Sequence, residues 1–392
     1  MRKERSLYIG VGKTYFYWPS TMPIAEKSPP CYIENRLLSL DFFRGLTMFL
    51  LIAGTTKLFK HMVDPSLEGT VIFMIGQQFQ HAQWEGLRFW DLVQPFFMFI
   101  AGVAIPLSVK KRTDKGASRG QILKHTCMRS LALLFFGIML VSIGAGEITL
   151  RYQNVLCQLA FTYLVTMLLI RRSVTTQIIV SISVIFLSDL TYQLFPVGGF
   201  NLPYVADQNF GAWVDMLISG QFSSGHWVSF NAIPTTAHTM WGALAGALII
   251  SDRAWQQKLK ILIGAGLVLL VIGYGLSPFI PIIKRICTST FVLTSGGWCL
   301  ITLAISYWLI DIKGTGNWPR FFAIVGSNSL FIYLFAHVGG SDLIYRIVLP
   351  ISRLLFSWIS ETAALVTNGL ATWLLLWYLC YWLFKRKIFI KV

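Results

Sequence analysis

Apolar runs of about 20 residues recur along almost the whole chain, and this feature constrains the fold more than any other. The chain has 392 residues, of which 55% are hydrophobic and 13% charged, with a mean hydropathy of +0.62. Such values lie far outside the range of soluble domains. A helix of about 20 apolar residues crosses a bilayer core and satisfies its own backbone hydrogen bonds. The sequence therefore predicts an all-α, polytopic integral membrane protein.

Ten transmembrane helices are predicted, after a basic N-terminal tail. Their approximate ranges are 37–58, 89–109, 126–146, 155–170, 175–195, 233–251, 261–280, 288–310, 320–338 and 362–384. Residues 1–35 lack the apolar core of a cleavable signal peptide, so we interpret them as a cytoplasmic tail. Residues 36–392 then form one transmembrane domain. Within it, the segment at about 342–358 carries two arginines one heptad apart, which predicts an amphipathic helix at the outer interface.

Charge placement predicts the orientation of the chain in the membrane. With the N-terminus inside, the inner segments hold most of the 33 Lys and Arg residues, as the positive-inside rule requires. Both termini are therefore predicted to be cytoplasmic, and the net charge of +16 reflects topology rather than a nucleic-acid partner. The absence of an Asn-x-Ser/Thr sequon favours a bacterial inner membrane. The six cysteines have no metal-ligand spacing, so no metal is expected.

His81 precedes the second predicted helix, where a polar segment meets the membrane. An imidazole titrates near neutral pH and can act as a general base or as a nucleophile, although many loop histidines only form structural hydrogen bonds. Asp91 would lie about 15 Å away along a straight helix, so direct pairing needs a bend, which Gly86 can supply. Glu85 is a rival partner if this turn is helical. Asp91 can instead be a first-turn carboxylate of its helix.

Other polar residues lie in or beside the predicted helices. Asp41 and Arg44 are three residues apart on the first helix, as a functional pair or a structural ion pair. Asn328 can bind a ligand or join helices, and His337 can contribute to a polar pocket at the outer rim. The basic residues of the inner segments either bind phosphate groups or only set the topology. The candidates are Lys110, Lys111, Arg112, Lys124 and Arg129.

Several motifs follow one another along the chain. They are RLLSLDFFRGLTMFL at 36–50, HAQWEGLRFWDLVQPFFMFIAG at 81–102, NVLCQLAFTYLV at 154–165, IPTTAHTMWGALAG at 233–246, ICTSTFVLTSGGWCLITLAISYWLID at 286–311 and GSNSLFIYLFAH at 326–337. Together they resemble the heparan-alpha-glucosaminide N-acetyltransferases and their bacterial relatives. The resemblance spans nearly the whole chain after residue 35.

This resemblance implies transfer of an acetyl group from cytosolic acetyl-CoA, the co-substrate, to the amine of a terminal glucosamine outside. It places the proposed catalytic histidine at His81, which acts either as the base of a direct transfer or as an acetyl acceptor. Asp91 or Glu85 would orient the imidazole, and Trp84 would stack on the sugar ring or anchor the interface. The resemblance also allows this chain to form a homodimer.

Two other functions remain open at this stage. An asparagine after the first helix, an arginine beside Gln158 and an acid near 228–234 are missing from the family pattern. These losses, together with the intramembrane Asp41–Arg44 pair, would suit a transporter of amino sugars without catalysis, although no internal symmetry supports one. The third function is an acyltransferase that modifies a cell-envelope glycan on oxygen.

Overall fold

A computed structural model describes residues 37–390, so the predicted tail at 1–35 lies outside the described residues. Within this range the chain folds into helices joined by connectors of different lengths. The α-helices are α1 Leu38–Ala53, α2 Leu58–Met62, α3 Val71–Gln78, α4 Val93–Asp114, α5 Arg119–Ala145, α6 Val155–Leu169, α7 Val174–Leu194, α8 Phe210–Ser219, α9 Ala232–Ile249, α10 Trp255–Leu276, α11 Ser289–Ser306, α12 Pro319–Ser327, α13 Ser329–Phe335, α14 Ser341–Phe356 and α15 Glu361–Lys385.

Local sequence explains where several long helices begin. Ser118, Asn154, Ser173 and Ser360 each precede a helix, and each side chain accepts a hydrogen bond from a backbone N–H of the first turn. A short polar side chain at this position satisfies a donor that the helix itself leaves unpaired. Sequence therefore marks the starts of α5, α6, α7 and α15 independently of their packing.

Eight helical segments of the described chain are long and apolar enough to cross a membrane. They are Leu38–Thr56, Phe89–Asp114, Arg119–Ala145, Val174–Leu194, Trp255–Leu276, Ser289–Ile312, Ser329–Phe356 and Glu361–Lys385. The protein is therefore an all-helical, multi-pass membrane protein, as the sequence predicts. Two predicted spans, α6 and α9, are not long and apolar enough to be among these segments. α6 has only 15 residues, and the Thr and His residues of α9 lower its mean hydropathy.

The helices form a central group and an outer ring. The spans that contain α1, α4 and α11 are 61–67% buried, whereas those of α5 and α10 are only 17% buried. α9 packs along α4, α6 and α7 in the centre. The apolar side chains of the outer helices are left facing outward, which is the arrangement expected of helices in contact with lipid.

The last quarter of the chain differs from the prediction. The helix predicted at 320–338 is broken at Asn328, which leaves α12 and α13 as separate helices. α13 then continues through a π-helical turn into α14, with Gly339 at φ 105 in the turn. The amphipathic segment predicted at 342–358 is therefore the second part of a bent helical segment, Ser329–Phe356, instead of an isolated helix.

Three connectors meet at one end of the bundle, which we call the His81 end. They are residues 54–92, 195–231 and 277–288, and hydrogen bonds, an ion pair and ring contacts join them. α4 starts at this end and rises for about 33 Å to the opposite end, where Lys110 and Lys111 lie. The fold thus separates the candidate histidine from the candidate phosphate-binding residues by the depth of the bundle.

Candidate active site

His81 and Asp91 are in direct contact. His81 Nδ1 lies 2.8 Å from Asp91 Oδ1, and Asp91 Oδ2 accepts hydrogen bonds from the backbone N–H groups of Ala82 and Arg88 at 3.2 and 3.0 Å. Gly86, at φ 109, lies in the turn that lets the chain double back over the ten intervening residues. The Asp91 side chain is 1% exposed and that of His81 is 38% exposed. The imidazole is therefore oriented by a buried carboxylate while it stays accessible.

The position of Asp91 determines which nitrogen of His81 can react. Nδ1 faces the carboxylate, so it carries a proton and donates it in the hydrogen bond. Nε2, on the other side of the ring, is then the nitrogen with a lone pair available to accept a proton. Burial lowers the pKa of His81 below its ordinary 6.5, the Lys284 cation lowers it further, and Asp91 opposes both. The neutral imidazole is thus favoured near neutral pH.

Lys284 brings a positive charge to the same pair from the connector between α10 and α11. Its Nζ lies 3.5 Å from Asp91 Oδ1 and 3.4 Å from His81 Nδ1, and its side chain is 6% exposed. The connector is held against the His81 segment by backbone pairing, because Gly86 N–H donates to the carbonyl of Ile282 at 2.8 Å. Burial lowers the pKa of Lys284 to about 8, although Asp91 favours its charged form.

Tryptophan rings line the space beside His81. The Trp227 ring lies edge-on to the imidazole at 5.3 Å, and the Trp90 ring lies 6.4 Å away. The Arg285 guanidinium lies over the faces of Trp227 and Trp84, at 5.8 and 5.9 Å, and donates to the carbonyl of Gln83. This wall next to the imidazole combines aromatic rings with a cation.

Three buried amides connect the site to the helices beneath it. Gln94 donates to Gln158 Oε1, Gln158 Nε2 donates to Asn231 Oδ1 at 2.5 Å, and Asn231 Nδ2 donates to the carbonyl of Arg285 at 3.3 Å. The three side chains belong to α4, α6 and the start of α9, and all are buried. Because buried polar groups are costly when unpaired, this chain of amides fixes the relative positions of those helices and the 277–288 loop.

Two other predicted site residues lie near His81 without contacting it directly. Glu85 is exposed, and its backbone forms an isolated antiparallel bridge with Ile283, whereas Asp91 occupies the position next to the imidazole. Trp84 Nε1 donates to the carbonyl of Tyr204 at 2.6 Å, which ties Trp84 to the connector at 195–231. Its role in binding a substrate stays a prediction.

The structure does not bring Asn328 or His337 to the imidazole of His81. Asn328 Nδ2 donates to the carbonyl of Ile388, and its Oδ1 accepts from the N–H of Ile390, so this side chain binds the C-terminal segment. His337 Nδ1 lies 2.8 Å from the carbonyl of Tyr333, one turn before it in the same helix. Each side chain therefore has a hydrogen-bond partner away from His81, distant in sequence for Asn328 and one turn away for His337.

Asp41 and Arg44 form an ion pair with an oxygen–nitrogen distance of 2.5 Å. Both line a cavity of about 160 Å³ between α1 and α4, together with Leu37, Leu40, Ile100, Val103, Ala104 and Leu107. The cavity lies beside the middle of α4, deeper in the bundle than the His81 end. Asp41 and Arg44 therefore lie at a different depth in the bundle from His81, and they are not part of the His81 site.

The five basic candidates are all far from His81 along α4 and α5. Lys110, Lys111 and Lys124 are exposed, and Arg112 lies 2.7 Å from His125 Nε2. Arg129 instead packs over the Tyr163 ring at 4.7 Å and donates to its hydroxyl at 3.3 Å. The exposed residues are accessible to an anion, whereas Arg129 has a partner within the bundle.

Sequence reasoning missed Lys284, Arg285 and Trp227 as site residues. Trp227 lies in none of the sequence motifs, and Lys284 and Arg285 lie just before the motif at 286–311. Lys284 and Arg285 do have a signal in the sequence that could have identified them. They are two adjacent basic residues in a short connector on the side of the membrane predicted to be poor in positive charge. Among residues 37–390, no group of three or more His, Cys, Asp and Glu side chains could hold a metal ion.

Comparison with known proteins supports the resemblance of the motifs. A family model described as a domain of unknown function, DUF5009, matches residues 36–209. The chain is 25% identical to human heparan-alpha-glucosaminide N-acetyltransferase, over 92% of this chain and 60% of the relative. The mouse protein of the same name is also 25% identical, over 91% of this chain and 61% of the relative. The chain is thus a distant relative of these proteins and spans about 60% of their length.

Proposed function

We propose that this protein is a membrane acetyltransferase that transfers the acetyl group of acetyl-CoA to the amine of an amino sugar, with the chemistry at His81. The main support is the pairing of His81 Nδ1 with the buried carboxylate of Asp91, which leaves Nε2 as a base on an accessible imidazole. A histidine oriented by a carboxylate in this way is a recurrent acyl-transfer arrangement. The names of the two mammalian relatives support the substrate class.

In a direct transfer, His81 Nε2 removes a proton from the sugar amine as the amine nitrogen attacks the acetyl carbonyl carbon. The new C–N bond forms, the C–S bond breaks, and the electron pair of that bond leaves with the CoA sulfur. Asp91 stabilises the imidazolium that results, and the imidazolium returns its proton to the thiolate or to water. In the alternative route Nε2 itself attacks the acetyl carbonyl carbon, the C–S bond breaks and CoA leaves as the thiolate. The sugar amine then attacks the acetyl-imidazole, the bond between Nε2 and the carbonyl carbon breaks, and the proton lost by the amine passes to the thiolate or to water.

The donor would approach from the end of the bundle opposite to His81. The exposed Lys110, Lys111 and Lys124 would attract its phosphates, because anions in water accumulate near clustered cations. The cavity between α1 and α4, next to Asp41 and Arg44, lies between that end and His81 and provides space for part of a narrow chain. In this proposal the basic end is cytoplasmic and the His81 end faces outward.

The acceptor would occupy the space between His81 and the tryptophan wall. The half-buried Trp227 side chain lies 5.3 Å from the imidazole, and its exposed part can contact the apolar face of a sugar ring. Placing the ring there would bring an amine substituent close to Nε2. Trp84 is held by Tyr204 and would support this wall through Arg285.

The test is acetyl transfer by the purified protein, with labelled acetyl-CoA and a panel of amino sugars. Wild type should form labelled N-acetyl sugar, and His81→Asn should reduce the rate by about 10²-fold to 10⁴-fold, because a general base contributes about that factor. His61→Asn is the matched control, since His61 is another imidazole at the same end, hydrogen-bonded to the Tyr345 hydroxyl at 2.9 Å. Sugar binding without acetyl transfer by wild type would refute the proposal and favour a transporter.

A further inference from the structure

Lys284 is a buried cation next to the reactive pair, and the reaction scheme above gives it no part. Its Nζ approaches Asp91 Oδ1 to 3.5 Å and His81 Nδ1 to 3.4 Å, and it comes from a connector 203 residues further along the chain than His81. A lysine with a side chain only 6% exposed is unfavourable unless an opposite charge pairs with it. The fold therefore maintains this charge at this position against a substantial cost.

The surroundings of Lys284 define what its charge acts on. The Asp91 carboxylate and the His81 imidazole face its ammonium group, and Arg285 and the thiol of Cys287 are the other ionisable groups close to it. The face of the Trp227 ring lies 5.6 Å from Nζ. Burial raises the pKa of Cys287 to about 11, so its thiol stays neutral near pH 7. Asp91 is therefore the anion that compensates Lys284.

Hydrogen-bond chemistry restricts the arrangement of protons in this cluster. An ammonium group has donors and no acceptor, and His81 Nδ1–H already donates to Asp91 Oδ1. The approach of Lys284 to Nδ1 is therefore a contact between two donors that share one carboxylate. A proton added at Nε2 would make His81 a cation beside another cation, which is unfavourable.

We propose that Lys284 is a positioning residue whose cation keeps Asp91 ionised as the acceptor of the Nδ1–H bond and keeps His81 neutral, with Nε2 ready to accept a proton. The catalytic role of Lys284 rests on the proposed acetyl transfer, whereas its electrostatic effect on His81 and Asp91 does not. Lys284 would orient Asp91 through their ion pair, and its positive charge would oppose premature protonation of His81. It does not itself contact the substrates.

The pKa directions agree with this geometry. Burial lowers the pKa of His81, Asp91 raises it, and the cations of Lys284 and, to a lesser extent, Arg285 lower it further. Burial also lowers the pKa of Lys284, to about 8, which leaves it mostly protonated at neutral pH. The effect on His81 should therefore operate below about pH 8 and fade above it.

The test follows the protonation of His81 without relying on enzyme activity. Diethyl pyrocarbonate modifies neutral imidazoles, and mass spectrometry of the peptide that contains His81 gives its modification rate against pH. In wild type the midpoint should lie below pH 6.5. In Lys284→Met the midpoint should rise by about one pH unit, since a like charge within hydrogen-bonding range has at least this effect. Lys284→Arg, which keeps the charge, should stay close to wild type.

Lys57→Met is the matched control, because Lys57 lies at the same end of the bundle and pairs with Asp342 at 2.7 Å on the surface. It should leave the His81 midpoint unchanged. If Lys284→Met does not give a folded, monodisperse protein, Lys284→Gln removes the charge and keeps a donor for Asp91. An unchanged midpoint in the folded neutral variant, or an equal rise in Lys57→Met, would overturn the proposal.

Acetyl transfer measured on the same samples separates this inference from the proposed function. A raised midpoint in a protein that transfers no acetyl group would support the role of Lys284 and refute the acetyltransferase. Transfer with an unchanged midpoint would refute the role of Lys284 and support the acetyltransferase. If both proposals hold, the acid limb of kcat/KM against pH should move upward with the midpoint, an effect that a merely structural lysine would not have.

Discussion

Burial of its carboxylate partner distinguishes His81 from the other imidazole–carboxylate pair at the same end of the bundle. His226 Nδ1 lies 2.7 Å from Asp207 Oδ2, which is close to the His81–Asp91 distance, but the Asp207 side chain is 30% exposed and that of Asp91 is 1% exposed. Water screens a charge at an exposed carboxylate, whereas a buried carboxylate acts strongly on its neighbour. The difference in burial makes Asp91 the better group for stabilising an imidazolium.

Replacing Asp91 by Asn should therefore abolish most of the acetyl transfer. The substitution removes the charge that stabilises the imidazolium. The amide oxygen would stay with the backbone N–H groups of Ala82 and Arg88, so the amide NH2 would face Nδ1 and oppose the Nδ1–H tautomer, and kcat should fall by about 10²-fold or more. Asp207→Asn changes the same type of pair on the surface and should retain transfer within a few-fold. Comparable losses in both variants, measured with labelled acetyl-CoA, would argue against a specific role for the buried carboxylate.

At the scale of elements, the close approach of α4 and α9 holds the site together from below. A Cβ atom at Gly242 would lie 2.0 Å from the Phe99 carbonyl oxygen, and one at Gly102 would lie 2.0 Å from that of Thr239. Glycine at both positions allows the two backbones to touch, as small residues do between membrane helices. Asp91 lies in the 3₁₀ turn before α4, and Asn231 directly precedes α9. The contact between α4 and α9 therefore fixes the positions of both residues along the axis of the bundle.

Gly242→Ala should consequently destabilise the bundle, because the methyl group has no space unless the helices move apart. Overpacking of this kind costs about 1–3 kcal/mol, so the apparent Tm should fall by several degrees. Gly264→Ala is the control: Gly264 lies in the outer helix α10, and its Cβ would meet nothing within 4 Å. Equal Tm values for the two variants, measured by thermal unfolding in detergent, would contradict this account of the α4–α9 contact.

Elements with a local signal could be predicted from the sequence, and those that depend on distant partners could not. The apolar runs predict the all-helical membrane fold because hydrophobic length alone decides whether a helix can span a bilayer. The break at Asn328 has no such signal, since its side chain is bonded to Ile388 and Ile390 near the end of the described chain. The α13–α14 bend similarly depends on Gly339, which adopts φ 105.

At the scale of the whole molecule, the candidate site is assembled from three connectors that are far apart in the sequence. His81 and Asp91 could be recognised because they lie in one motif and Gly86 permits a turn between them. Lys284, Arg285 and Trp227 reach the site only because α4, α6 and α9 pack together and the buried amides of Gln94, Gln158 and Asn231 align their ends. Sequence spacing carries no information about such packing.

The same assembly places the proposed donor and acceptor sites at opposite ends of the bundle. The helical residues from Asp91 to Lys110 rise by about 28 Å along the helix axis, a distance close to the thickness of a bilayer core. In the proposed reaction the acetyl group therefore crosses the membrane while neither substrate does. A transporter would instead move a substrate across the membrane, and an enzyme that works on one side would move nothing across it.

The most direct measurement uses sealed vesicles that contain the protein and a trapped oligosaccharide with a terminal glucosamine, with labelled acetyl-CoA added outside. We predict that labelled N-acetylated oligosaccharide accumulates inside wild-type vesicles and does not accumulate in His81→Asn vesicles. Export of unmodified oligosaccharide would indicate a transporter. If no labelled product forms until detergent lets the substrates mix, the two substrates bind on the same side, and transfer across the membrane is contradicted.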